Sequence, residues 1–93
     1  MKHTISEIQI IPIKPMNGLV GFASVIFDEC LFLGSLGIYT RPSGGYRLTY
    51  PTKKQAGESL NIFHPINNNI SKLIEEAVVK KYEELLKLSW IDQ

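Results

Sequence analysis

With 93 residues, 44% of them hydrophobic and 20% charged, the chain has the composition of one globular domain over 1–93, which excludes both the low-hydropathy mixture of a disordered segment and the apolar run of a membrane span. Ten Lys and Arg against nine Asp and Glu leave a net charge of +1, so any pull on a polyanion must come from a local cluster of cations and not from the field of the whole molecule. Cys30 is the single cysteine and closes no intrachain disulfide, and Glu7, Gln9 and Pro12 interrupt the N-terminal apolar stretch as a secretion signal would not, so a reducing cytoplasm is the expected setting.

Taken in chain order, residues 4–13 are rich in β-branched side chains, with Ile8 and Ile10 alternating with Glu7 and Gln9, and Pro12 removes one ladder donor. That pattern predicts an edge strand. Pro15, Asn17 and Gly18 supply turn chemistry, and a second strand over 19–27 completes a hairpin. Residues 19–27 and 30–39 are apolar on both faces, as central strands covered on more than one side would be, and Asp28-Glu29 is the short solvated turn between them. Cys30, opening the second of these strands, reads as a small buried hydrophobe.

Thr40 to Gly45 is a loop by composition, and 45–50 a half-buried strand with Tyr46, Leu48 and Tyr50 on one side and Arg47 on the other. The polar stretch Pro51 to Glu58 reads as a lysine-bearing loop, followed by a short fifth strand over 60–64 that Pro65 ends. Beyond it the apolar period changes from two to 3.6: Ile70, Leu73, Ile74, Ala77, Val78, Tyr82 and Leu85 form one stripe of a helix over 68–88, with Asn67 or Asn68 as N-cap. Glu76 with Lys80, and Glu83 with Lys87, are spaced for i,i+4 pairing on the solvated face, while Lys81 falls within the stripe and must snorkel, pair, or mark a stretch that leaves the sheet. The expected class is α+β: an antiparallel sheet of about five strands closed by one C-terminal amphipathic helix.

The chemistry of a catalytic site is not spelled out. His3, His64 and Cys30 have no metal-ligand spacing; Asp28 and Glu29, being adjacent, point apart and form no acid–base dyad; and the Ser and Thr residues lack a base with an orienting partner. Gly34-Ser35-Leu36-Gly37 and Gly44-Gly45 are not phosphate loops, because neither joins a strand to a helix with Lys-Ser or Lys-Thr after it. The expectation is a non-enzyme with no cofactor, no metal and no small-molecule substrate.

One constellation is distinctive: Pro51-Thr52-Lys53-Lys54, then Gly57-Glu58, then His64-Pro65-Ile66-Asn67 opening a helix that carries Ala77-Val78 and Tyr82-Glu83, preceded by Val25-Ile26-Phe27-Asp28-Glu29. In order and spacing the chain resembles the SpoVG family of bacterial septation regulators from about Thr4 to Leu86. The resemblance implies a small α+β fold, a homodimer formed through the sheet, binding of DNA and in some members RNA, and roles in septation, sporulation or gene expression. It also matches Lys53 and Lys54 to an adjacent basic pair used on the phosphate backbone, and the helix from Asn67, which carries Lys72, to an element that influences sequence preference. The family's usual Lys-Arg is Lys53-Lys54 here, which keeps the charge and loses a planar bidentate fork. Glu7, Gln9, Ile11 and Pro12 stand in a first strand that is commonly basic, and Ser59 replaces a large residue. This is the pattern of a divergent member.

Lys53 and Lys54, with Arg41 and Arg47, are therefore the expected nucleic-acid patch, on the premise that the loops bearing them emerge at one end of the sheet. Tyr46 and Tyr50 are expected in the core and not as base-stacking platforms, and His64 as a lock on the strand-to-helix corner. The alternative reading is a dimeric protein–protein interaction module with no direct contact to nucleic acid, which the near-neutral charge suits. Dimerisation has support from the residues as well, since two strands apolar on both faces need more cover than one helix supplies.

Overall fold

The computed structural model describes residues 2–91, with side chains described as far as Leu88. Strands β1 (Ile5–Met16), β2 (Leu19–Phe27), β3 (Leu31–Thr40) and β4 (Tyr46–Thr49) form an antiparallel sheet in that spatial order; β5 (Thr52–Gln55) and β6 (Glu58–Asn61) form a separate two-stranded hairpin; and helix α1 (Asn68–Ile91) follows. The class is α+β, as the residue pattern indicates. The sheet is a meander, so its two apolar strands, β2 and β3, are central.

Asn17 and Gly18, both at positive φ, make the two-residue link between Met16 and its partner Leu19. A hairpin of that length favours residues tolerant of left-handed backbone, as Asn-Gly is. β1 runs past the expected boundary through Pro12 and Pro15 to Met16. It can do so because it is an edge strand, where a missing N–H faces no neighbour. Pro12 opposes Gly21, and a Cβ on Gly21 would stand 3.1 Å from the Ile11 carbonyl oxygen, so the glycine admits close approach of the two backbones.

The core lies between α1 and one face of the sheet: Val25, Leu36, Ile38, Ile74 and Val78 are almost wholly buried there, with Tyr82 beside them. The helical stripe is thus the one the 3.6 period marks out. Asn67 is the N-cap, its side-chain oxygen accepting from the N–H groups of Asn69 (2.8 Å) and Ile70 (3.1 Å). Lys81 is exposed, and so are Leu86 and Leu88, so the last turns of α1 run beyond the sheet. Among the described residues neither Glu76–Lys80 nor Glu83–Lys87 closes an ion pair; the pairs present are His3–Asp28 and Arg41–Glu75. Exposed i,i+4 pairs gain too little to hold two long side chains in one geometry.

Four expectations need correction. The polar stretch 51–58 is not a loop but contains β5 and a tight turn at Ala56-Gly57, and the strand expected at 60–64 is β6 (Glu58–Asn61), which starts and ends earlier and pairs with β5 (Lys53 opposite Leu60, Lys54 opposite Ser59). Cys30 is exposed in the β2–β3 turn, not buried in a strand. Among the described residues the central strands are covered on one face only. On the other, Ile11, Phe22 and Phe32 are 65%, 40% and 69% exposed. No helix of the described residues is long and apolar enough to cross a membrane.

Candidate nucleic-acid interface

β4 is four residues long, and the segments bearing the expected cations leave it from opposite ends: Arg41 lies in the loop before Tyr46, Lys53 and Lys54 in the hairpin after Thr49. The premise that both loops emerge together at one end of the sheet is therefore not met by the topology.

Arg41 is committed to the protein. Its Nη2 donates to Glu75 Oε1 at 3.0 Å and its Nε to the Tyr46 carbonyl at 3.0 Å, while the same Glu75 oxygen accepts from the Leu48 N–H at 3.1 Å. One carboxylate on α1 thus ties the β3–β4 loop and the edge strand β4 to the helix. Arg41's charge is largely answered at home.

Arg47 goes the other way. Tyr46 packs edge-on against Tyr82 at 5.0 Å and Leu48 packs on the core, so the alternation of a strand sends Arg47 to the uncovered face. There its guanidinium lies 4.9 Å from the ring centre of Tyr39, its partner in the register, a cation–π contact. The two arginines occupy opposite faces of the sheet.

Lys53 and Lys54 are adjacent on β5, whose residues are all exposed, as are those of β6. Alternation directs them to opposite faces of a thin ribbon with solvent on both sides. Neither is in an ion pair among the described residues, and the same holds for Lys72, exposed near the start of α1. What the structure offers a polyanion is a two-stranded arm with unanswered cations on either side.

Tyr46 and Tyr50 are packed against the core as expected. Tyr50 stands edge-on to Phe63 at 6.1 Å, and burial, with the Glu75 charge as a second cause, pushes its hydroxyl up to about 12. His64 Nδ1 lies 3.2 Å from the Pro65 carbonyl at the corner before α1. Among the described residues no group of three or more His, Cys, Asp or Glu converges as a metal site would need.

Reading the residues one by one missed Glu75, which stands beside the apolar stripe without an i,i+4 partner, and Tyr39, whose pairing with Arg47 becomes visible only when the strand register is known. It also missed the N-terminal corner. There His3 Nδ1 donates to Asp28 Oδ2 at 2.8 Å, the Thr4 N–H donates to Asp28 Oδ1 at 2.8 Å, and the His3 ring stacks on Phe27 at 5.4 Å.

Comparison with known sequences bears on the same span. The family model described as SpoVG matches residues 3–84. Relatives named "Putative septation protein SpoVG" include those of Treponema denticola, 31% identical over 81 residues (86% of this chain, 86% of the relative), and Phytoplasma australiense, 28% identical over 82 residues (88% and 85%). A Bdellovibrio bacteriovorus relative of the same name is 25% identical over 83 residues (89% and 76%). A match that runs from His3, ahead of the first strand, to Glu84, deep in the helix, takes in every strand of the fold: the chain belongs to the SpoVG family.

Proposed function

We propose that this chain is a cytoplasmic, homodimeric regulator linked to septation, sporulation or gene expression that binds DNA, and RNA in addition, through contacts to the phosphate backbone. The observation that carries the reading is the β5–β6 arm, where Lys53 and Lys54 project from an exposed ribbon and no acid answers them among the described residues. Lysine suits this role as a point charge: it neutralises phosphates and releases counterions without reading bases. Lys72 on α1 and Arg47 on the uncovered face supply further charge, and Arg41, held by Glu75, serves the fold more than the ligand.

The test is a fluorescence-anisotropy titration against duplex DNA and against single-stranded RNA at rising salt. Exchange of both Lys53 and Lys54 for Glu should weaken binding about equally across sequences and flatten the slope of log affinity on log salt by roughly 2, close to one unit per lost phosphate contact on a duplex. Arg41→Ala should leave the slope within experimental error. A slope unchanged in the lysine variant would remove the arm from the interface.

A second reading starts from the apolar face that would also join two copies of the chain. The apolar face bearing Ile11, Phe22 and Phe32 is a surface of the kind that binds protein, and a dimeric interaction module without nucleic-acid contact would use it. Such an interface responds little to salt, so the same titration separates the two readings.

A further inference from the structure

What fixes the direction of the lysine arm lies outside the arm. All eight residues of β5 and β6 are exposed, and a two-stranded ribbon is marginally stable with nothing to pack on. Its own turn, Ala56-Gly57 at positive φ, keeps the two strands in register but leaves open where the ribbon points. Among the described residues no ion pair ties it to the sheet or the helix.

The ties are at its base. The Ile62 N–H donates to the Pro51 carbonyl at 3.0 Å, one residue beyond the last ribbon pair, Thr52 opposite Asn61. One residue further out, Tyr50 and Phe63 meet edge-on at 6.1 Å, and both rings pack against the core. The leg that carries Tyr50 is anchored twice more, by the Leu48 N–H donating to Glu75 on α1 at 3.1 Å and by the fixed backbone angle of Pro51. The other leg, 62–66, is neither strand nor helix, and Ile62 and Ile66 are 60% and 93% exposed, so the Phe63 ring is its hold on the core.

We propose that the Tyr50–Phe63 contact is the clasp that orients the arm, which makes Phe63 a positioning residue for nucleic-acid binding through Lys53 and Lys54. Its effect on binding rests on the nucleic-acid reading; its effect on the arm does not. An arm held in one direction presents its lysines together with Lys72 and loses less freedom on binding than an arm that swings. The clasp is also uncharged. The Tyr50 hydroxyl is buried without a partner among the described residues, and burial pushes it up to about 12, so it stays neutral at working pH. Salt therefore screens the phosphate contacts without loosening the clasp, and the two can be read apart.

Amide residual dipolar couplings of the isotope-labelled full-length protein, weakly aligned, read the arm with no ligand present. In the parent the couplings of Lys53, Lys54, Ser59 and Leu60 should fit the same alignment frame as those of Val25 and Ile38. In Phe63→Ala the arm's couplings should shrink towards zero while the sheet keeps its frame. The same variant should bind duplex DNA about tenfold more weakly, with the slope of log affinity on log salt unchanged because no cation is lost. Phe63→Leu, which keeps an apolar side chain against the core, should return both readouts most of the way to the parent. Should Phe63→Ala fail to fold, Ile62→Pro removes the N–H that closes the base without touching the core, and should uncouple the arm in the same way. Arm couplings that stay in the parent's frame, or a loosened arm that binds as tightly as the parent's, overturn the proposal. A parent that binds no nucleic acid overturns the nucleic-acid reading instead, and the couplings still decide whether Phe63 orients the arm.

Discussion

Asp28 opens the three-residue turn between β2 and β3. It and Glu29 both adopt left-handed backbone, φ 51° and 58°, in a turn without glycine, closed by the Cys30 N–H to the Phe27 carbonyl at 3.1 Å. Non-glycine residues enter that region at a cost, and Asp tolerates it better than most. The segment ahead of β1 helps to hold it: the Asp28 N–H donates to the Thr4 carbonyl at 2.8 Å while its carboxylate accepts from His3 and from the Thr4 N–H. The His3 hydrogen bond first, and the Thr4 N–H second, hold the Asp28 carboxyl below its ordinary value. A carboxylate whose pKa is lower folded than unfolded stabilises the fold above the unfolded value, and that contribution fades as pH falls through the folded one. Asp28→Asn should therefore melt at a lower temperature than the parent at neutral pH, with the gap closing as pH drops below the usual carboxylate range. Thermal melts by circular dichroism from pH 7 to pH 2 check this, and a gap constant across the range would mean that the ionised group does not hold the corner. Nothing in the sequence announces this contact, because His3 and Asp28 are brought together only by the β1–β2 register.

Helix α1 is the element most legible from its residues. Its apolar stripe repeats over four turns, and Asn67 starts it with a side chain that satisfies two otherwise unmet N–H groups. Asn67→Ala should lower stability by about 1 kcal/mol, read as a shifted urea midpoint at unchanged slope. The hairpin β5–β6 is the opposite case. A strand declares itself through contrast between a buried and a solvated face, and all eight of its residues are exposed, so Thr52–Gln55 carries no alternation to read. Its turn is equally quiet, since Ala56 at φ 54° stands where Asn or Asp would signal a hairpin. The candidate site suffers from the same limit. That Lys53 and Lys54 are exposed follows from their chemistry. That they sit on a ribbon, away from an Arg41 bound to Glu75 and an Arg47 stacked on Tyr39, depends on pairings between distant residues.

At the scale of the molecule, the two faces of the sheet are unequal. α1 covers one, and the other carries Ile11, Phe22 and Phe32, with Phe22 opposite Ile11 in the β1–β2 register and Phe32 opposite Ile26 in β2–β3. Phe32 also lies over Gly34, where a Cβ would come within 2.8 Å of its ring, so the glycine lets the ring rest on backbone. A chain of this length buries a limited fraction of its surface, and three large apolar side chains left out form a patch of the kind that pairs. The homodimer proposed above would place a second copy here, where each fully buried Phe or Ile gains about 1.5–3 kcal/mol. Because Phe32 contributes nothing to the core under α1, Phe32→Glu should leave the circular-dichroism spectrum unchanged while shifting the mass by light scattering from dimer towards monomer at equal concentration. A charge set into that face would have to be desolvated without a partner for two copies to close over it. If parent and variant share one mass across the concentration range, the exposed face is not what joins the copies, and the dimer through the sheet falls with it.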